Sequence, residues 1–244
     1  MIRKIVAGLA AAALAGALGL WAPWTAHAGS GSGTSYEPKL NPADFSTVID
    51  NPYFPFPVGR QLVYTGIKDG QTQKDTVTVT NRTKIVAEGI TARVVTDVAK
   101  HGSTLLEQTE DYYAQDKHGN VWYVGEKTAA FNPDGTVDTS GSWEAGVHDG
   151  EPGIVMEANP RIPDAYRQEF AHRDQAQDTA WVVDTNGTQT VPYGTFHHAL
   201  VTLEATVVEP GLYDKKVYGR GVGIICEQAI TGDTEIAKLV SVSG

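Results

Sequence analysis

The sequence Leu105–Glu126, LLEQTEDYYAQDKHGNVWYVGE, predicts a β-hairpin whose pattern the rest of the chain repeats. β-Branched and aromatic residues stand on both sides of the turn residues Asp116–Asn120, as in two strands joined by a tight turn. Side chains alternate between the faces of a strand, which places Asp111 and Tyr113 on one face and Tyr112 on the other. Neither face is purely apolar. The hairpin therefore predicts that at least one carboxylate points toward an interior or a cleft.

Short runs with strand-like composition recur along the chain, separated by turns rich in Gly, Asp and Asn. These runs are Gln61–Ile67, Asp75–Thr80, Lys84–Ala87, Ile90–Val98, Tyr166–Phe170, Thr179–Asp184, Ala199–Val208, Lys215–Tyr218, Val222–Gln228 and Ile236–Val242. No helical stripe of apolar residues follows the first 28 residues. The pattern predicts an all-β fold, an antiparallel meander of about ten strands that forms a barrel-like or strongly curved sheet. Its general shape would be lipocalin-like or calycin-like.

Alternation is clearest in the run Ala199–Val208, and it predicts which side chains lie inside the sheet. The apolar residues of this run are expected to face inward and the polar ones outward. The inward set would be Val201, Leu203, Ala205 and Val207, and the outward set Thr202, Glu204 and Thr206.

The first 28 residues predict a secretory signal peptide that is cleaved near Ala28. Arg3 and Lys4 supply a basic start, Ile5–Leu20 an apolar run too short for a membrane span, and Ala26-His27-Ala28 a small-residue cleavage site. We therefore expect a secreted or periplasmic protein without a transmembrane segment in the mature chain. The expected domains are residues 1–28 as signal peptide, 29–59 as flexible leader and strap, and 60–244 as a single β domain.

The segment Asn51–Gly59, NPYFPFPVG, is expected to form an irregular strap rich in aromatic residues. Its three prolines exclude a helix and a central strand. One interpretation packs the strap over an end of the barrel; the alternative exposes Tyr53, Phe54 and Phe56 as a platform for sugars or for a cell-envelope partner. Just before the strap, Asp44–Asp50 is expected to form one short helical turn.

Charge and cysteine content exclude some classes of function. The chain carries 19 basic and 29 acidic residues, a formal charge of −10. Nucleic acid and anionic membrane are therefore disfavoured as partners, because both require a basic face. Cys226 is the only cysteine, so no intramolecular disulfide can form and the fold must depend on its core. Its apolar neighbours predict a buried, unreactive thiol.

Four stretches resemble a family of exported bacterial hypothetical proteins, and the resemblance covers most of the mature chain. They are Asn51–Pro55 (NPYFP), Asp111–Glu126 (DYYAQDKHGNVWYVGE), Gly141–Val147 (GSWEAGV) and the segment from Tyr218 to Gly223. The resemblance implies secretion and a shared fold. It implies no activity and no catalytic residue.

The first functional hypothesis is non-catalytic binding of a small or extended ligand, apolar to amphipathic or a polysaccharide, in the concave interior. It depends on the mixed polarity of the hairpin faces and on the absence of a strong catalytic motif. The aromatic residues would stack on a sugar or another flat ligand. The candidate ligand-binding residues are Asp111, Tyr113, Trp122, Glu126, Trp143 and Tyr166.

The alternative from another class is an extracellular hydrolase or lyase that uses paired carboxylates. Glu144 would work with Glu157 or Glu169 as general acid and base, or as acid and nucleophile. Spacing in the sequence cannot place two of these carboxylates at a working separation, so the alternative stays open.

No cofactor is expected, although two patterns in the sequence resemble metal-binding sites. His197 and His198 are neighbours on a strand and point to opposite faces, which disfavours a shared metal ion. Asp134 and Asp138 alternate as oxygen ligands do at the start of a calcium loop. The pattern departs from an EF-hand because Gly135 comes too early and Trp143 stands at the twelfth position. An ordinary Asp-Gly turn explains the same residues.

Overall fold

The computed structural model describes residues 36–68, 70–171, 176–207, 210–232 and 234–244. The expected signal peptide and the leader up to Ser35 lie outside these ranges. Within them a 3₁₀ turn and sixteen strands occur. In chain order they are the turn Pro42–Asp44, β1 Phe45–Ser46, β2 Gln61–Lys68, β3 Gln71–Ile85, β4 Thr91–His101, β5 Thr104–Asp116, β6 Val121–Phe131, β7 Val137–Asp138, β8 Trp143–Glu144, β9 Glu151–Met156, β10 Ala165–Arg167, β11 Glu169–Phe170, β12 Asp178–Val191, β13 Gly194–Thr206, β14 Tyr213–Gly219, β15 Gly223–Thr231 and β16 Ile236–Ser243.

Thirteen of these strands follow one another around an antiparallel sheet that nearly closes into a barrel. Their order is β10-β12-β13-β14-β15-β16-β2-β3-β4-β5-β6-β9-β11, with β1, β7 and β8 paired at the side. The first and last strands of this path are consecutive in the chain, with only Gln168 between them. Gln168 N–H donates to Asp178 O at 2.8 Å. On the other side Gly153 of β9 lies so close to Gln168 that a Cβ at position 153 would come within 2.2 Å of its carbonyl carbon. The predicted all-β, barrel-like fold is confirmed.

The predicted hairpin is formed by β5 and β6. Its turn is closed by two backbone hydrogen bonds, Asp116 N–H to Asn120 O and Gly119 N–H to Asp116 O, both at 2.9 Å. The register shifts between Tyr112 and Tyr113. At this bulge Gly125 has φ of +140°, and a Cβ there would lie 2.8 Å from Trp143 O. Asp111 and Glu126 stand directly opposite each other, and beyond the bulge Tyr123 stands opposite Tyr113 on the same face.

In β13 the side chains that were expected to face inward face outward, and those that were expected to face outward face inward. Thr202 and Glu204 are buried, with 0% and 2% of their surface exposed. Val207 is 65% exposed, and Val201 and Leu203 are partly exposed on the outer face. The expected orientation was wrong because alternation separates the two faces without saying which is inside. Here the inner face offers Thr202 and Glu204 polar partners, which makes their burial possible.

The strap fills one end of the barrel. Phe54 and Phe56 are 2% and 4% exposed, and their ring centroids lie 4.5 Å apart. Both rings meet the Tyr113 ring edge-on, at 5.4 and 5.5 Å. The prediction of a strap packed over an end is confirmed. The alternative that exposes these two rings as a platform for a partner is wrong.

The segment before the strap forms a 3₁₀ turn and a strand instead of the expected helical turn over Asp44–Asp50. The turn Pro42–Asp44 is followed at once by β1, in which Phe45 and Ser46 pair with the end of β5. The expectation was wrong because pairing with β5 takes these residues out of a helical conformation.

No helix in the described ranges is long and apolar enough to cross a membrane.

Asn51 fixes the strap to the barrel. Its Nδ2 donates to Gly119 O at 2.9 Å and to Glu157 O at 3.0 Å. Its Oδ1 accepts from Tyr53 N–H at 2.9 Å, and its own N–H donates to the Gln115 side chain at 3.0 Å. The side chain is buried. One amide group therefore joins the strap, the hairpin turn and the end of β9.

Replacing Asn51 by Ala is expected to lower the free energy of unfolding by about 2–3 kcal/mol. The change leaves two carbonyl oxygens and one N–H without their partner in a buried place. Asn41→Ala is the matched control, because Asn41 caps an exposed turn through one hydrogen bond to Ala43 N–H and should cost at most about 1 kcal/mol. Urea denaturation measures both. Equal losses would show that Asn51 does not anchor the strap.

Candidate functional site

The interior of the barrel is divided into an apolar half at the strap and a polar half at the other end. β5 contributes to both halves, because its inward side chains change character along its length. In β5, Tyr113 lies near the strap, and Asp111, Thr109 and Glu107 follow at alternate positions, all of them buried. The polar half also contains the buried residues Lys68, Gln73, Asp75, Glu126, Asp178, Thr202, Glu204, Lys216 and Glu227.

Buried carboxyl groups outnumber buried basic groups in the described part of the chain. Nine acidic and three basic residues are buried there. The acidic residues are Asp75, Glu107, Asp111, Glu126, Glu169, Asp178, Glu204, Glu227 and Glu235, and the basic ones are Lys68, Arg93 and Lys216. Taking a charge out of water costs several kcal/mol unless an opposite charge or hydrogen bonds compensate. Some of these carboxyl groups must therefore be held by a neighbour or by a proton.

Lys216 is the centre of one polar cluster. Its Nζ lies 2.7 Å from Glu204 Oε2, with both side chains almost fully buried. Glu204 Oε1 accepts from Thr202 Oγ1 at 2.7 Å and from Tyr218 OH at 3.2 Å. Burial would lower the pKa of Lys216, but the charge and the hydrogen bond of Glu204 outweigh it and raise that pKa above its usual range. Lys216 thus stays charged, and Glu204 is its ion-pair partner.

Two further carboxyl groups beside Lys216 hold protons. Burial raises the pKa of Asp178 to about 7, although the Lys216 charge opposes the shift. Burial also raises the pKa of Glu227 well above its usual range, again against Lys216. One ammonium group cannot neutralise three carboxylates, so protonation of the other two is the physical solution.

A second group of polar side chains lies across β2 and β3. Asp75 Oδ1 accepts from Gln73 Nε2 at 2.8 Å, and Lys68 Nζ lies 3.1 Å from Glu235 Oε1. Burial raises the pKa of Asp75 to about 6, while the Gln73 hydrogen bond and the Lys68 charge lower it.

Four of the residues proposed from the sequence as ligand-binding meet at the hairpin. Asp111 and Glu126 are opposite each other on β5 and β6, and Tyr123 OH donates to Asp111 Oδ1 at 2.8 Å. The Tyr113 and Tyr123 rings stack with centroids 4.9 Å apart. Trp143 meets Tyr123 edge-on at 5.4 Å. Asp111, Tyr113, Glu126 and Trp143 thus share one inner wall.

The other two proposed ligand-binding residues lie elsewhere. Trp122 packs against Phe45 at 6.1 Å, and its Nε1 donates to Asp116 Oδ2 at 2.9 Å, beside the turn of the hairpin. Tyr166 is buried on β10, where burial raises the pKa of its hydroxyl well above 10 and Glu204 adds to the shift. Its hydroxyl has no hydrogen-bond partner. Because Glu204, the ion-pair partner of Lys216, influences its pKa, Tyr166 belongs to the wall that carries Lys216.

The three glutamates proposed for catalysis are not brought together. Glu144 lies 2.9 Å from Lys84 Nζ on the outer side of the sheet, and its carboxylate accepts from Ala87 N–H at 3.0 Å. Glu157 is half-buried, and burial together with the adjacent Asp164 carboxylate raises its pKa to about 7. Glu169 is fully buried inside the barrel. Each of the three thus lies in a different environment.

A small cavity lies beneath Phe54, where the apolar and polar halves meet. It leaves about 10 Å³ for the centre of a water-sized sphere, which is room for roughly one water molecule. Gln168 is 2% exposed, and its Oε1 accepts no hydrogen bond. The wall of the cavity includes Phe54, Tyr123, Gln168, Glu169, Lys216 and Tyr218. The cavity therefore combines aromatic rings with an amide acceptor and two charged side chains.

The residues considered for metal binding serve other contacts. Asp134 Oδ1 accepts from Thr136 N–H at 2.9 Å, and Asp138 Oδ1 accepts from Ser140 N–H at 2.9 Å, so each closes its own turn. Within the described ranges no three His, Cys, Asp or Glu side chains are placed to hold a metal ion. Calcium at Asp134 and Asp138 stays a prediction.

Sequence reasoning missed the cluster around Lys216. Glu204 was expected outside, and Lys216 and Asp178 were not singled out, because nothing in the sequence says that β13 pairs its Thr202 with Lys216. A Thr-x-Glu alternation opposite Asp-x-Lys in the next strand would have been the signal. It can be recognised only once the register between the two strands is known.

No protein-family model matches the chain, and no curated protein sequence matches it. Two solved structures are similar to it. One is a candidate exported protein with a YMCC-like fold from Bacteroides fragilis, with a TM-score of 0.45 and 16% identity, covering 79% of this chain and 99% of that one. The other is a candidate lipoprotein from Parabacteroides distasonis, with a TM-score of 0.42 and 12% identity, covering 78% of this chain and 98% of that one. At this distance the likeness gives no residue a role.

The raised pKa values predict that the protein is more stable at pH 5 than at pH 8. The folded state holds protons on Asp75, Asp178 and Glu157 with pKa values of about 6, 7 and 7. The unfolded chain releases them near pH 4. Their contribution to stability is therefore complete near pH 4 and is lost as the pH rises through 6 to 7.

Thermal unfolding followed by circular dichroism at pH 5 to 8 measures this dependence. Asp178→Asn is expected to flatten the slope, because an amide has no proton to lose. Asp134→Asn changes an exposed turn residue and should leave the slope almost unaltered. A melting temperature that rises from pH 5 to pH 8 would contradict the assignment of buried, protonated carboxyl groups.

Proposed function

We propose that this is an exported, non-catalytic protein that binds a small ligand inside its barrel, in the cavity beneath Phe54. The expected signal peptide supports export. The observation that carries the proposal is the cavity wall. Gln168 lines a space bounded by aromatic rings and ionisable groups, and its buried Oε1 has no donor. Few convergent polar groups in an aromatic setting are typical of a ligand site.

Phe54 controls the size of this site. With its ring in place the cavity holds about one water molecule, so any larger ligand must displace the ring. The backbone of Phe54 is joined to the strap by a hydrogen bond from its N–H to Asn51 O at 3.1 Å, and its ring is held by packing on Phe56 and Tyr113. The hydrogen bonds of the Asn51 side chain are made with backbone groups and do not involve the side chain of Phe54. Movement of Phe54 can therefore open the cavity without releasing the strap from its anchor.

Native mass spectrometry of the protein purified from its own secretion route tests the proposal, together with elemental analysis of the same sample. The expected result is a small-molecule adduct that is lost on unfolding. Phe54→Trp, which retains an aromatic ring but crowds the cavity, should reduce the adduct. A bare mass in repeated preparations, or an adduct that Phe54→Trp leaves unchanged, would contradict binding in this cavity.

A second candidate is an extracellular hydrolase or lyase, and Glu157 is the observation that favours it. A carboxyl group with a pKa of about 7 suits general acid–base catalysis near neutral pH. Its neighbour Asp164 would share the proton, in place of Glu144 or Glu169.

If this candidate is correct, Glu157→Gln should reduce polysaccharide turnover by at least about 100-fold. Glu144→Gln is the matched control, because Glu144 makes an ion pair with Lys84 on the outer side, and it should retain turnover. Release of reducing ends from a panel of polysaccharides is the measurement. No turnover by the wild-type protein, or equal effects of both changes, would remove the candidate.

A further inference from the structure

We infer that the cavity beneath Phe54 selects a small organic amine, whose ammonium group lies beside Gln168 and whose apolar part takes the place of the Phe54 ring. This inference rests on the proposed function and adds the charge of the ligand to it. It follows from the acceptor, the surrounding charges and the rings of the wall.

The acceptor decides that the ligand must donate a hydrogen bond. Gln168 Oε1 is buried and accepts from no group of the protein, and a buried acceptor without a donor costs about 1–3 kcal/mol. An ammonium group supplies up to three donors and is about as large as a water molecule, which matches the space available. A ligand carboxylate supplies none.

The charges beside the cavity disfavour an anion. Lys216 is the basic group of the wall, and its ammonium is already paired with Glu204 at 2.7 Å. An anion that approached Lys216 would compete with Glu204, which already holds this ammonium group. A cation, by contrast, can approach the buried carboxyl group of Glu169, which lines the same cavity.

The rings add a second preference for positive charge. Phe54, Tyr123 and Tyr218 contribute aromatic rings to the wall. The face of an aromatic ring attracts a cation by about 0.5–2 kcal/mol, most strongly where water is excluded. When Phe54 moves aside, Tyr123 and Tyr218 remain and still offer this attraction.

The test uses Phe54→Ala with three ligands of nearly the same shape: benzylamine, benzyl alcohol and benzoate. The substitution leaves a space next to the existing cavity that a benzene ring can fill, so the rest of each ligand is directed toward Gln168. Isothermal titration calorimetry at pH 7 gives the three dissociation constants. We expect benzylamine to bind about tenfold more tightly than benzyl alcohol, and benzoate to bind most weakly.

Two control variants test whether the preference for benzylamine depends on this cavity and on Gln168. Phe56→Ala removes an equal ring from the same strap, but Phe56 does not line the cavity, so any binding to the space it leaves should show no preference for benzylamine. Phe54→Ala combined with Gln168→Leu retains the space and removes the acceptor. In this variant the advantage of benzylamine over benzyl alcohol should fall severalfold.

Each contrary result has a distinct meaning. If benzyl alcohol or benzoate bound as tightly as benzylamine, the inference that the cavity selects an amine would be wrong. The proposal that the cavity binds a ligand would still hold. No binding of any ligand to a folded Phe54→Ala protein would overturn the cavity as a binding site, and the proposed function with it. Should Phe54→Ala fail to fold, Phe54→Leu with propylamine, propanol and propionate applies the same comparison to a smaller space.

Discussion

The structure depends on how charge is accommodated inside a closed sheet. The ion pair of Lys216 and Glu204 lies within the barrel with almost no access to water. Such a pair is stable only where further hydrogen bonds satisfy its oxygens, and Thr202 and Tyr218 supply them to Glu204. Apolar residues of similar size would pack the same space at no electrostatic cost. The retention of charge inside the barrel is therefore the feature that most needs a functional reason.

The strap gives this interior its boundary. Asn51 fixes one end of the strap to the hairpin turn and to the residue after β9, and the rings of Phe54 and Phe56 fill the end of the barrel against Tyr113. Water is thus excluded from the polar half on this side. Exclusion of water also disfavours the charged form of a carboxyl group, which keeps protons on Asp178 and Glu227 against the charge of Lys216. The charged groups inside the barrel therefore depend on the strap that shields them from water.

Local features of the fold could be predicted from the sequence, and the inside of the barrel only in part. The hairpin from Leu105 to Glu126 has its turn residues, its alternation and its β-forming side chains in one continuous stretch. Its two strands and the presence of at least one inward carboxylate were therefore predicted correctly, and the structure identifies Asp111 and Glu126 as buried. The strap followed from its prolines. β13 was placed with the wrong face inward, because Val201 and Leu203 satisfy the usual rule and the partners that justify burying Glu204 are on another strand.

The residues of the candidate site likewise fall into a group that the sequence places together and a group that only the fold brings together. Asp111, Tyr113, Glu126 and Trp143 come together because all four depend on the hairpin and the short strand beside it. Gln168, Lys216 and Phe54 come from distant parts of the chain, and they meet only because Gln168 lies between β10 and β11, which pair with opposite ends of the sheet. Closure of a barrel is a long-range event. Spacing in the sequence cannot show which side chains it will bring face to face.

The central claim is that ionisable side chains of the β12–β15 wall lie inside the barrel and hold protons there. Carbon-13 NMR of the side-chain carboxyl groups, followed from pH 4 to pH 9, measures this directly for Asp178 and Glu227. The structure predicts a pKa of about 7 for Asp178 and a pKa well above the usual range for Glu227. Ordinary titration of both groups near pH 4 would mean that they face water, and would contradict the polar interior.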